Sequence, residues 1–240
     1  LGIAVARVSE MMEGILSDTG VTDYAAWLSD SRENNFRFKI YPQYKANRPP
    51  QPHHLQDLKE YAIMEWGFLI SHGQEADDSL GIHQSKTDRN ATIICSIDKD
   101  LLTIPGLHWN FVKKEKTVVS PMGALANFYT QFLIGDSADN IDGCDGIGKA
   151  KAPKILAPCE TEEEMFEAVV KTYMAKNPGK SPDEILTHIA QIGRVLKIRT
   201  EENEPLWSFP KSRLMEEIGQ LFIQPMEEEI GQFTELITTG

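Results

Sequence analysis

Acidic residues gather in four short groups along this chain: Asp30; Glu75, Asp77 and Asp78; Asp98 and Asp100; Asp136 and Asp139. Taken singly, each has an ordinary explanation, because acids favour the first turn of a helix and Asp is common in turns. Taken together, they sit beside elements of a core rather than in a polar tail. Glu75 and Asp78 are spaced to share a helix face, and Asp136 and Asp139 repeat that spacing just past a helix. Converging carboxylates repel, and their pKa values rise unless cations neutralise them. Hard divalent ions with oxygen ligands are the natural counter-charge, Mg2+ first and Mn2+ second. Two such ions would stabilise the attacking and leaving oxygens of a phosphoryl transfer. No His or Cys grouping argues for zinc.

Basic residues gather as well. Arg37, Lys39, Lys45 and Arg48 form one stretch, and Lys149, Lys151 and Lys154 another. Residues 143–149 read as the turn of a helix–hairpin–helix element. Gly143, Gly146 and Gly148 let the backbone come close to a phosphate, and the following helix offers its N–H groups. Such a contact is blind to base sequence. No Gly-Lys-Ser/Thr supports a P-loop, and no strand precedes the glycines as a dinucleotide site requires; an ordinary glycine-rich turn is the plain alternative. Tyr44 beside Lys45 and Arg48 could stack on a base while the cations hold phosphates. A solvated basic loop explains the same residues.

The elements that must position these groups form an alternating pattern. Val5, Val8, Met12, Ile15 and Leu16 predict a helix ending near Gly20. A strand is predicted over 24–28, irregular chain over 32–52 and a helix over 55–70. A further helix is predicted over 75–84, and over 92–97 a strand buried on both faces. Shorter strands follow at 108–112 and 117–119, then helices at 122–134 and about 148–157, and mostly helix from 161 to about 223. This predicts an α/β fold with a parallel-sheet core over 1–120, then a helical part over 121–223 carrying the hairpin element at about 128–157. A tail follows at 224–240. Ligands in such sheets bind at the carboxyl ends of strands, where Asp30 and Asp98 fall. The 240 residues are 41% hydrophobic and 25% charged, ordinary globular values, with a net charge of −12. A DNA contact on so acidic a chain requires segregated charge, with acid in a pocket and in distal runs such as Glu162–Glu164 and Glu227–Glu229. Cys95, Cys144 and Cys159 lack metal-ligand spacing and fit a reducing, intracellular compartment. No apolar run reaches membrane-spanning length, and residues 1–6 are too short for a secretory signal.

YKANRPP at 44–50, EADD at 75–78, S-x-DKD at 96–100, GD-x-x-DN at 135–140 and G-x-x-GIGK-x-x-A at 143–152 occur in one order. In that order the chain resembles the 5′ nuclease family, the 5′–3′ exonucleases and flap endonucleases that include phage exonucleases and the 5′ nuclease domain of bacterial DNA polymerase I. The resemblance implies a PIN-like core with a helical arch at about 37–70. It implies that Asp30, Glu75, Asp77, Asp78, Asp98, Asp100, Asp136 and Asp139 serve two Mg2+ ions, with Mn2+ able to substitute. Lys45 and Arg48 would stand at the base of the arch, Lys45 on the scissile phosphate, and Tyr44 would stack on a terminal base. Gly143, Gly146, Gly148, Lys149 and Lys151 would hold duplex DNA, with K+ bound by hairpin carbonyls. The implied partners are DNA 5′ ends, flaps and branched duplex, with RNA–DNA hybrid as a further substrate. The implied protein is a cytoplasmic monomer of a bacterial or phage-infected cell, with no membrane contact. The family's first strand carries an Asp, which nothing before Leu1 supplies, and 45–75 is short for a tall arch. The expectation is therefore an N-terminally truncated chain impaired in cutting. Two other readings stand beside the active nuclease: a branched-DNA binder that does not cut, and a PIN-like ribonuclease.

Overall fold

The architecture is that of a computed structural model, which describes residues 1–88, 91–216 and 218. Helix α1 (Gly2–Thr19) forms on the predicted apolar stripe and ends at Gly20. Strand β1 (Trp27–Ser29) brings Asp30 to its carboxyl end. Inside the Pro-punctuated segment lies a helix the sequence does not signal, α2 (Phe36–Ile40), started by the Asn35 side chain accepting the Arg37 N–H at 3.0 Å. The predicted helix over 55–70 divides. Helix α3 (Leu55–Trp66) stops because Gly67 turns left-handed at φ 65°, and the chain enters strand β2 (Leu69–Ser71). Helix α4 (Ala76–Lys86) begins on the acidic turn, and strand β3 (Ile93–Cys95) follows. A 3-10 helix (Lys99–Thr103) leads to strands β4 (Gly106–Asn110) and β5 (Glu115–Val119).

The remaining elements are helices. They are α5 (Pro121–Ile134), α6 (Ala152–Leu156), α7 (Glu162–Lys176) and α8 (Pro182–Leu196). Ser120, Thr161 and Ser181 cap α5, α7 and α8 with their hydroxyls, as their types predict. Helix α6 starts later than the predicted 148, because residues 148–151 stay in a turn. Pro153 thereby falls in its first turn, where a missing N–H costs nothing. The acid run Glu162–Glu164 is the first turn of α7, a placement the helix dipole favours. The run at 227–229 and the tail at 224–240 lie outside the described residues. Among the described residues no helix is long and apolar enough to cross a membrane.

The parallel-sheet core consists of two small sheets. β1 and β2 pair in parallel with Leu28 opposite Ile70. β3 and β4 pair in parallel with Ile94 opposite His108, and β5 adds an antiparallel edge with Thr117 opposite His108. The chain between β4 and β5 is too short for a crossover, so it can only make a hairpin. Strand β3 is also less buried than predicted: Ile94 is interior, while Ile93 and Cys95 are half-exposed. Among the described residues β1 pairs only with β2 and β3 only with β4. An apolar cavity of about 300 Å³ separates the two, bordered by Trp27 and Ile94, by Met12 and Ile15 of α1, and by Leu80 of α4.

The larger core is helical. Phe128, Phe132 and Leu133 of α5 meet Phe166, Val169 and Val170 of α7 and Ile189 and Ile192 of α8, with Trp207 closing one end. Among the described residues the sheet-side core is smaller: Ile94, Leu101, Ile104 and Ile198, with Leu80 packed against them. Phe166 is fully buried and packs on Trp207 and Phe209. Phe166→Ala should therefore lower unfolding free energy by about 3–5 kcal/mol. Denaturant unfolding checks this, and a loss below 1 kcal/mol, on the order of a surface substitution, would contradict a helical core that carries the fold.

Candidate active site

Six of the eight predicted carboxylates come to one place. Glu75, Asp77, Asp98, Asp100, Asp136 and Asp139 line a single pocket of about 290 Å³ with Tyr44, Lys45, Arg48 and Lys99. Each arrives on a different support. Glu75 caps α4 and Asp77 sits in its first turn. Asp98 caps the 3-10 helix, accepting the Asp100 N–H at 2.9 Å. Gln131 of α5 holds Asp100 at 2.8 Å. Asp136 and Asp139 stand in a tight turn past α5, where Asp136 accepts the Ala138 N–H at 2.8 Å.

Two predicted ligands lie elsewhere. Asp78 is fully buried beneath the pocket. Its oxygens accept from Arg37 at 2.5 and 2.8 Å and from the N–H groups of Glu75 and Arg199 at 3.0 Å each. It is a structural carboxylate, because the helical turn that aims Asp77 at the pocket aims Asp78 away from it. Asp30 does not line the pocket. It accepts from Ser31 and Gly73 N–H groups at 2.7 Å each and from Asn34 at 3.1 Å. The Gly73 bond first, then Asn34 and Ser31, hold its pKa below the usual carboxylate value.

Tyr44 also corrects an expectation. Only 2% of it is exposed, so its ring offers no face to a base. Its hydroxyl lies 2.9 Å from Glu75 and 3.0 Å from Asp139, and its one proton is shared between the two carboxylates. Burial, then the Glu75 charge, push its pKa up, so it stays a donor. Lys45, at φ 54°, pairs with Glu75 and lies 3.6 Å from Asp139. Arg48 meets Asp139 at 2.6 Å and is half exposed. The whole basic loop is pinned to the acidic turn: Lys45 N–H donates to the Asp139 carbonyl at 2.9 Å, and Asn140 donates to the Gln43 carbonyl at 2.9 Å. Sequence reasoning misses two pocket residues. Lys99 pairs with Asp136 at 3.2 Å, and Gln131 has no signal beyond its place on a helix facing the pocket.

Burial first, then Asp98 and Glu75, raise the Asp77 pKa to about 7. Burial and Asp98 raise Asp100 to about 6. Asp136 moves the other way: burial opposes its charge, but Lys99 and the Ala138 N–H outweigh it. An all-oxygen donor set with two reluctant carboxylates suits a hard divalent cation in chemistry. As placed, however, no three acid, imidazole or thiol side chains among the described residues converge at coordination spacing; Lys45, Arg48 and Lys99 supply the counter-charge instead. The donor types fit, and binding an ion requires those ion pairs to open.

The hairpin glycines divide by role. A Cβ on Gly143 would collide with the Gly135 nitrogen and the Ile134 carbonyl carbon, so Gly143 serves a crossing inside the chain rather than a phosphate. Gly146, at φ 70°, and Gly148 have open space around them. Lys149 and Lys151 are exposed, and Lys151 donates to the Gly146 carbonyl at 2.8 Å. The Cys144 and Gly148 carbonyls also already accept N–H groups, so these hairpin oxygens are engaged.

The sequence pattern of the 5′–3′ exonuclease N-terminal resolvase-like domain matches residues 3–128. The chain is 33% identical over 173 residues to DNA polymerase I of Caldicellulosiruptor bescii, covering 62% of this chain and 20% of that one. It is 31% identical over 165 residues to flap endonuclease Xni of Colwellia psychrerythraea, covering 60% and 56%. A 5′–3′ exonuclease of Mycoplasma pneumoniae is 29% identical over 167 residues, covering 60% and 57%. The matched stretch is thus less than two thirds of each relative. The crystal structure of the T5 D15 protein co-crystallized with metal ions superposes with a TM-score of 0.52 at 16% identity, covering 80% of this chain and 88% of that one. That is a likeness of fold.

The raised carboxylates make stability depend on pH. In the folded chain Asp77 and Asp100 hold protons up to about 7 and about 6, against an ordinary 3.8. Their contribution is full below the unfolded value and is lost as pH rises through the folded ones. Asp78 and Asp136, shifted down, titrate below that window. With chelator present, the melting temperature should fall between about pH 5 and about pH 8, and Asp77→Asn should shrink the fall. A melting temperature that rises over this range, or one indifferent to Asp77→Asn, would show that these groups are not buried as described.

Proposed function

The chain belongs to the 5′–3′ exonuclease family, and from that premise we propose that it hydrolyses phosphodiester bonds at 5′ ends, flaps or branches of DNA, with two Mg2+ ions held by the carboxylate pocket. The observation that carries the proposal is the meeting of Glu75, Asp77, Asp98, Asp100, Asp136 and Asp139 in one pocket rimmed by Lys45, Arg48 and Lys99. Bound there, Mg2+ would activate water and offset phosphate charge, and Mn2+ would substitute. The protein's own part is to hold and orient. Tyr44 fixes Glu75 and Asp139 from below by hydrogen bonds. Lys45, Arg48 and Lys99 stand where a phosphodiester would approach, and Arg48 and Lys99 are exposed enough to reach it. Lys45 is the residue for the scissile phosphate, since it alone of the three touches both Glu75 and Asp139. Lys149 and Lys151, exposed beside Gly146 and Gly148, would track the duplex backbone.

A labelled 5′-flap duplex incubated with Mg2+ or with chelator tests this reading. Cleavage should need the ion, and Asp136→Asn should lower the rate by orders of magnitude while duplex affinity changes little. Lys45→Ala should lower the single-turnover rate on the order of 10²-fold, as loss of a group that stabilises developing charge does. Cleavage that persists in chelator would sink the proposal.

The hairpin is tested apart from the chemistry. Lys149→Ala with Lys151→Ala should weaken duplex binding for every sequence alike. The slope of log affinity against log salt should become shallower by about 1 for each phosphate no longer neutralised. An unchanged salt slope would place the duplex elsewhere.

A further inference from the structure

A buried ion pair borders the pocket: Arg37 is among the lining residues, and its charge is already engaged by Asp78. Arg37 of α2 is 2% exposed and Asp78 of α4 is 0% exposed. The guanidinium uses three nitrogens: Nη1 and Nη2 donate to the two Asp78 oxygens at 2.5 and 2.8 Å, Nε donates to the Val195 carbonyl at 2.8 Å, and Nη2 also donates to the Lys197 carbonyl at 2.9 Å. Asp78 in turn accepts the N–H groups of Glu75 and Arg199. Burial works against both charges, and each partner more than offsets it: the guanidinium pKa is raised and the carboxyl pKa lowered.

One fork therefore ties together α2, the N-terminus of α4 and the segment leaving α8. We propose that Arg37 is a positioning residue for the carboxylate pocket, acting through Asp78 to set Glu75 and Asp77 against the Tyr44–Lys45 turn. The proposal rests on the nuclease reading above. A buried ion pair adds little net stability over apolar residues of the same size, because desolvating two charges offsets their attraction. What this pair supplies is register. Glu75 must present one oxygen to Tyr44 and the other to Lys45, and Asp77 must face Asp98 across the pocket. Asp136 and Asp139 stand on the turn that follows α5, a different support, so a small slide of the first turn of α4 changes every distance between the two carboxylate sets. The fork prevents that slide by holding the helix at Asp78 and at the Glu75 N–H together. Lysine in place of Arg37 would keep the charge but lose the paired donors that define the geometry.

The test separates register from folding. The double variant Arg37→Met with Asp78→Leu removes both charges, Met being close in size to Arg and Leu larger than Asp, and circular dichroism and melting check that it stays folded. Its affinity for a 5′-flap duplex in Ca2+ should stay within about twofold of the parent. Its single-turnover cleavage rate should fall roughly 10- to 100-fold, the scale that a misplacement of about 1 Å produces. The Mn2+ midpoint, read by calorimetry without DNA, should move to higher concentration. A folded double variant with the parent's cleavage rate and Mn2+ midpoint overturns the proposal. If the double variant does not fold, Arg37→Lys decides: the same split in rate, Mn2+ midpoint and duplex affinity supports the proposal, and parental values overturn it. A parent protein that neither binds Mn2+ nor cleaves overturns the nuclease reading itself, which is a separate result.

Discussion

Six carboxylates in a pocket of about 290 Å³ repel one another, and the surrounding structure is organised by that repulsion. Two of them respond by holding protons, Asp77 to about 7 and Asp100 to about 6. Three others are met by something positive or hydrogen-bonding: Lys45 and Tyr44 at Glu75, Arg48 at Asp139, Lys99 at Asp136. The overall charge of −12 is thus no obstacle to meeting a polyanion. The cations are concentrated where a phosphate would come, and a divalent ion entering the pocket would compete with them for the same oxygens. Freed side chains would then be available to a phosphate, and the two binding events would be linked through the shared carboxylates.

The acidic turn and the basic loop behave as one unit. Asn140 and Asp139 bind backbone groups of the loop at Gln43 and Lys45, while Tyr44 reaches back to Asp139. The close backbone crossing of Gly135 with Gly143 fixes where that turn sits relative to the hairpin. Carboxylates, basic loop and hairpin are therefore coupled mechanically through a few residues just past α5. This helix is itself anchored in the aromatic core by Phe128, Phe132 and Trp207.

The two halves of the molecule differ in how well they are held. Helices α5, α7 and α8 share a deep apolar core, whereas the two sheets are joined mainly by α4 and leave an apolar cavity between β1 and β3. Helix α4 therefore has an exacting position: it packs on both sheets, carries Glu75 and Asp77, and is fastened to the helical side through Asp78, Arg37 and the chain after α8.

Much was legible in the sequence. Residue type and spacing marked all six pocket carboxylates, and with them Asp30 and Asp78, which lie outside the pocket, because acids clustered beside core elements are few and conspicuous. An apolar stripe ending at Gly20 marked α1, an acidic first turn marked α4, and a β-branched run without alternation marked β3. The tertiary structure decided the rest. Asp77 and Asp78 are adjacent acids, and only the direction of the helix axis sends one into the pocket and the other onto Arg37. Tyr44 reads as a stacking aromatic until its neighbours bury it. Gly143 reads as a phosphate contact until Gly135, eight positions earlier in the chain, is found against it. The short strand β2 stayed hidden behind α3 because three residues carry no periodicity of their own and form a strand only when β1 lies alongside. Local chemistry is written in residue types, but which neighbours a side chain meets depends on residues distant in sequence, and those come together only when the chain has closed on itself.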